Sequence, residues 1–284
     1  MAGRGKLGVI AGGGALPLRI VEGCTRRGEG VCVIRLAGCA DAALTAFPGE
    51  DCGLGEAGRI IEALRREGCE RVVLAGLVRR PNFKSLRLDW RGAALLPRVV
   101  AAAARGDGAL LDLLVAELAA EGFRVVGAQE ALDELAAPAG VMGAYAPSAD
   151  DLADMRKAAA LIAALGPFDA GQGAVVAGGL VLAVEAAEGT DAMLARCASA
   201  PVPQGAARSA RGVLVKRPKP GQDRRIDMPT VGIETVRRAH AAGLAGIAVE
   251  ADGALVIDAA ETIAEADRLG LFLYGFDPEE THAP

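Results

Sequence analysis

The chain opens on an apolar run, residues 7–12, that ends in three glycines; a helical pattern of apolar positions follows over 16–27, then a second apolar run over 31–36. This is a βαβ unit, because a parallel strand buried on both faces is apolar throughout while its crossover helix is apolar on one side. The alternation continues. Periodicity predicts a helix over 58–67, a strand over 71–75, helices over 95–104 and 108–121, and a strand over 124–127. Together these predict an open, mostly parallel sheet with helices on both faces, the doubly wound α/β class.

Residues 136–147 carry no charge and are rich in Pro, Gly and Ala, so they read as a linker between a first domain over 1–135 and a second over 148–284. Ser148, with Asp151 three residues on, is a helix start signal. Beyond it the pattern predicts a strand over 174–185, a helix from Thr190, a strand over 212–215, a helix over 230–242, strands over 246–249 and 255–257, a helix over 258–269 and a last strand over 271–274. The second domain is α/β too, and 284 residues exceed what one core usually supports.

Composition narrows the picture. With 52% apolar but 3% aromatic residues, the cores must be built of Ala, Val, Leu and Ile. The longest uncharged stretch, 170–184, is glycine-rich and shorter than the roughly 20 apolar residues that cross a bilayer. Met1 to Lys6 lacks a signal-peptide pattern, so the expectation is a cytoplasmic protein. A net charge of -5 argues against a nucleic-acid partner. The cysteines, without a C-x-x-C pair, are expected as reduced packing residues. His240 and His282 are the two histidines, so a metal is expected on carboxylates and phosphate, which selects magnesium or manganese over zinc.

Residues 211–232 set Asp223 and Asp227 among Arg211, Lys216, Arg217, Lys219, Arg224 and Arg225. The four cations Lys216, Lys219, Arg224 and Arg225 suit phosphate oxygens, Asp227 suits a hard cation, and Pro229-Thr230 is expected to start a helix whose first amides face an anion. A solvated loop has the same composition. Gly12-Gly13-Gly14 closes a strand and precedes a helix, where backbone approaches a phosphate or makes a tight turn. The dinucleotide fingerprint is broken by Pro17 at its third glycine, and Arg35 stands where an acid would hold a ribose, which disfavours a nicotinamide dehydrogenase. Gly76 and Arg79 follow a parallel strand on its ligand-binding end. Gly106 borders Asp107, expected as a helix cap, with the neighbouring amides open to a ligand. Gln172-Gly173 offers an amide for a uracil or sugar edge, or a turn. Glu185 ends a strand and Thr190-Asp191 starts a helix, so both acids can converge with Asp227 at one edge of the second sheet.

Seven collinear motifs carry a further signal: 7–17 (LGVIAGGGALP), 53–58 (GLGEAG), 75–81 (AGLVRRP), 105–111 (RGDGALL), 169–176 (DAGQGAVV), 184–191 (VEAAEGTD) and 227–232 (DMPTVG). Through these, over nearly its whole length, the chain resembles the LpxI-type UDP-2,3-diacylglucosamine pyrophosphatases. The resemblance implies metal-dependent hydrolysis of a lipid-sugar nucleotide, UDP-2,3-diacylglucosamine, to UMP and 2,3-diacylglucosamine 1-phosphate, a lipid A precursor. It implies Asp227 as the essential aspartate; Lys216 and Lys219 are expected beside it to neutralise phosphate charge, and Glu185 and Asp191 are expected with it as the metal or acid-base set. The expected substrate contacts are Gly12, Gly13, Gly14, Gly76, Arg79, Gly106, Gln172, Gly173, Thr190, Asp191, Arg225 and Thr230. It further implies domain closure over the substrate; a homodimer and peripheral inner-membrane contact are expected as well. Relatives often carry Asn where Leu77 stands here. A non-catalytic nucleotide-sugar or lipid-sugar binding protein uses the same glycines without needing Asp227.

Overall fold

A computed structural model describes residues 5–78, 82–83, 86–168, 170–199, 212–221 and 223–281. The chain divides into two units, Met1–Glu134 and Leu135–Pro284. In the first, β1 (Lys6–Ala11), α1 (Ala15–Arg26), β2 (Val31–Leu36), β3 (Gly49–Cys52), α2 (Ala57–Arg66), β4 (Cys69–Ala75), α3 (Trp90–Ala103), α4 (Asp107–Ala120), β5 (Arg124–Val125) and α5 (Ala128–Ala131) follow in order. The sheet runs β3-β2-β1-β4-β5 with every pairing parallel, as the apolar runs predict. Its core is aliphatic: Leu7, Val9, Ile20, Val33, Ile34, Leu64, Val72 and Val73 are fully buried. Each such side chain contributes about 1.5–3 kcal/mol of burial.

The pattern does not predict β3, because Gly49-Glu-Asp-Cys52 is polar and half exposed. It joins at the edge, where Arg35 reaches Asp51 at 2.6 Å and also donates to the carbonyls of Leu44 and Phe47. Arg35 is thereby spent on holding an edge strand.

The second unit contains β6 (Gly140–Val141), α6 (Ala149–Leu165), β7 (Gly173–Ala177), β8 (Leu180–Val184), α7 (Gly189–Ser199), β9 (Val213–Lys216), β10 (Thr230–Val231), α8 (Ile233–Ala241), β11 (Gly246–Glu250), β12 (Leu255–Val256), α9 (Ala259–Leu269) and β13 (Phe272–Phe276). Six strands form a sheet of order β6-β13-β11-β9-β7-β8, parallel through β9, β11 and β13 and antiparallel at its flanks. Alternation along β7 sorts side chains to two cores. Val176 joins Met155, Ala158 and Ile162 of α6, while Val175 joins Met193, Val236 and Ala266 of α7, α8 and α9.

Three expectations change. The single strand expected over 174–185 is a hairpin, turned at Gly178-Gly179, which both have positive φ and donate their amides to the buried Asp154 carboxylate at 2.8 and 2.7 Å. Pro229-Thr230 does not start a helix. Thr230 and Val231, both β-branched, pair with Leu255 and Val256, and the helix begins after Gly232. The stretch expected as a linker is woven into the second unit over part of its length: Ala137 is buried, its amide donates to Ala254, and Gly140–Val141 pairs with β13. Short uncharged edge strands look like linkers by composition, but their backbone groups still need partners. The Ser148 cap forms as expected, with the Asp151 carboxylate accepting from the Ser148 amide.

Candidate active site

Strand register builds the centre of the second unit. Antiparallel pairing sets Gly173 opposite Lys216, and the Arg217 amide donates to the Gln172 carbonyl at 3.1 Å. On the other side of β7, Gly171 and Glu185 are linked by an amide-to-carbonyl bond of 3.0 Å, and Glu185 donates to the Gly173 carbonyl at 2.8 Å. Gln172, Glu185 and Lys216 therefore arrive together. A Cβ on Gly173 would lie 2.6 Å from Glu185 Oε2 and one on Gly171 2.5 Å from the Glu185 carbonyl oxygen. The absence of side chains at 171 and 173 lets the glutamate cross the strand.

Thr190 Oγ1 donates to Glu185 Oε1 at 3.0 Å, whereas Glu185 Oε2 is buried and accepts no hydrogen bond among the described residues. Gln172 Nε2 donates to Asp227 Oδ2 at 2.7 Å. Lys216, 7% exposed, donates from Nζ to the Thr230 carbonyl at 2.9 Å. Burial holds its ammonium pKa below the ordinary lysine value, against the opposing pull of Glu185, Asp191 and Asp227. Asp191, largely exposed, lies 3.4 Å from Arg238. Thus Gln172, Gly173, Glu185, Thr190, Asp191, Lys216, Asp227 and Thr230 share one neighbourhood, and Thr230 serves it through its carbonyl. The arrangement is a desolvated cation among carboxylates, in which the buried charge of Lys216 is offset by the acids around it.

Arg225 and Lys219 are further members of the charged loop. Arg225 grips Asp223 with contacts of 3.0, 3.1 and 2.6 Å, which holds the Asp223 carboxyl below the usual carboxylate range. Lys219 is partly buried on the loop after β9. Among the described residues no three His, Cys, Asp or Glu side chains are grouped to hold a metal ion, so Asp227, Glu185 and Asp191 do not form a complete protein cage. The orphaned Glu185 oxygen and Asp227 fit the sparser mode of magnesium, in which one or two carboxylates act together with substrate phosphates.

Glu250 escapes sequence reasoning because it ends an apolar strand. It is 1% exposed and pairs with Arg217 at 2.9 Å and Arg224 at 2.6 Å.

In the first unit the glycines serve close backbone packing. Gly13 and Leu77 exchange backbone hydrogen bonds at 2.8 Å in both directions, a Cβ on Gly12 would meet the Leu77 oxygen at 2.7 Å, and one on Gly76 (φ +89°) the Gly13 oxygen at 2.5 Å. Gly14, at φ +88°, caps α1 and has open space where a side chain would stand. Gly106, at φ +134°, caps α4 in place of Asp107, the first residue of that helix. A positive φ favours glycine over aspartate there. Arg79 lies outside the described residues. Leu77 and Trp90 are 79% and 70% exposed.

Fold and site define a two-unit α/β protein with a cluster of one buried lysine and several carboxylates at the strand ends of its second sheet. Residues 6–135 match the LpxI N-terminal domain and residues 138–274 the LpxI C-terminal domain. Over 276 residues the chain is 49% identical to the UDP-2,3-diacylglucosamine pyrophosphatase LpxI of Caulobacter vibrioides, covering 97% of this chain and 99% of that protein. The chain belongs to the LpxI family.

Proposed function

We propose that the chain is a pyrophosphatase that hydrolyses UDP-2,3-diacylglucosamine to UMP and 2,3-diacylglucosamine 1-phosphate. The observation that carries this is the joining of Lys216, Glu185, Gln172 and Asp227 in a chain of this family. A pyrophosphate places charge on both phosphorus atoms, and Lys216 can neutralise it strongly because the ammonium is desolvated. Asp227, with one oxygen fixed by Gln172, orients the attacking water toward the phosphorus nearer the sugar, and UMP departs. No covalent intermediate is needed, since phosphoryl transfer depends mainly on positioning and electrostatics. Magnesium or manganese, held by Asp227 and Glu185 together with substrate phosphates, would supply further charge neutralisation.

Purified protein incubated with UDP-2,3-diacylglucosamine should release UMP, lose this activity in EDTA and regain it with magnesium or manganese. Absence of UMP release contradicts the reading, and full activity after exhaustive chelation contradicts its metal. In oxygen-18 water the label should enter the lipid phosphate; label in UMP reverses the direction of attack.

A further inference from the structure

We infer that Glu250 is a positioning residue that clamps the loop joining Lys216 to Asp227. This inference rests on the proposed hydrolysis for its role and on the following geometry for its existence. Parallel register sets Val249 of β11 beside Lys216 of β9, so the next residue, Glu250, stands beside Arg217. Its carboxylate is almost wholly buried, yet each oxygen meets a guanidinium: Oε2 is 2.9 Å from Arg217 Nη2 and Oε1 accepts from Arg224 Nη2 at 2.6 Å.

The two arginines mark the two ends of the loop. Arg217 directly follows Lys216, and Arg224 precedes Asp227 by three residues. One buried carboxylate therefore ties the start of the loop to its return, with the two residues assigned to the chemistry just outside the tie. The fold also makes room for this group: a Cβ on Gly253 would lie 2.6 Å from Glu250 Oε1. A buried charge is costly unless fully paired, so loosening either arginine leaves a group that cannot find water in place. Glu250 meets Arg217 and Arg224, and its effect on turnover passes through the loop that these two arginines hold.

The test uses Glu250→Gln, Arg224→Gln, Arg224→Lys and the double variant Glu250→Gln/Arg224→Gln in the full chain. Amide exchange over residues 217–227, followed by mass spectrometry, reads the clamp without turnover. Each glutamine variant should accelerate exchange there by about tenfold or more. In assays of UMP release, kcat should fall by about tenfold or more with KM held within about threefold. The double variant should be no worse than the poorer single one, because both remove the same tie, and Arg224→Lys should recover part of the loss. Unchanged exchange, multiplying losses in the double variant, or a raised KM at unchanged kcat in Arg224→Gln would each overturn the inference. If Glu250→Gln does not fold, the half-exposed Arg224 variants decide alone. A wild-type protein that releases no UMP counts against the hydrolysis, while the exchange result still judges the clamp.

Discussion

Gln172 donates a hydrogen bond of 2.7 Å from Nε2 to Oδ2 of Asp227, a residue 55 positions further along the chain. An amide donor that engages Oδ2 fixes the way the Asp227 carboxylate is turned. Gln172→Leu should therefore lower kcat by about ten- to a hundredfold, the equivalent of a hydrogen bond to a charged group. Gln172→Glu, which sets a like charge beside Asp227, should do worse. Steady-state kinetics on the folded variants check both; a kcat equal to wild type in Gln172→Leu would remove Gln172 from the account.

The burial of Lys216 gives a pH dependence of stability with a definite sign. In the unfolded chain its ammonium titrates at the ordinary lysine value of 10.5, and burial lowers that value in the native state. Between the two values the unfolded chain binds more protons, so this residue makes stability rise with pH through that window. Below the native value the penalty is fully present. Lys216→Met removes it, so the melting temperature of wild type minus that of the variant should grow as pH is raised toward 10.5. A difference that shrinks with rising pH would contradict the burial argument. Turnover by the variant should fall by about a hundredfold or more, through loss of charge stabilisation.

Much of the fold is legible in the chain because burial leaves an apolar signature. The strands at 31–36 and 246–250 read clearly, and the Ser148 cap was announced by Asp151. Where backbone pairing, not side-chain burial, makes the element, the signature fails. The polar β3, the two-residue strand at Thr230 and the uncharged β6 are all of that kind. The sequence pattern lets Glu185 and Asp191 converge with Asp227 at one edge of the second sheet, but it does not show that the buried Lys216 lies among them. The Gln172 bond and the Glu250 clamp join residues distant in sequence, and no local pattern records them. The glycines at 12, 13 and 76 look like a phosphate loop, yet the close approach they permit is first to one another's backbone.

Gly173→Ala tests the packing behind the acidic side of the site. Its new methyl group would stand 2.6 Å from Glu185 Oε2, which must then move. Because the atom met is the end of a flexible side chain, the melting temperature should fall only slightly, and the displaced carboxylate should show chiefly as reduced kcat. An unaltered melting temperature and full activity would show that Glu185 moves freely and that its position is not held by this strand.

Asp227→Ala, assayed for UMP release from UDP-2,3-diacylglucosamine beside the wild type, addresses the centre of the account most directly. Removing a group that stabilises charge chiefly in the transition state lowers kcat more than it weakens binding. The folded variant, verified by its melting temperature, should lose about a thousandfold or more in kcat while still binding substrate. A folded Asp227→Ala protein that keeps more than about a tenth of wild-type kcat, a loss of under about 1.4 kcal/mol, would place the chemistry elsewhere in the chain.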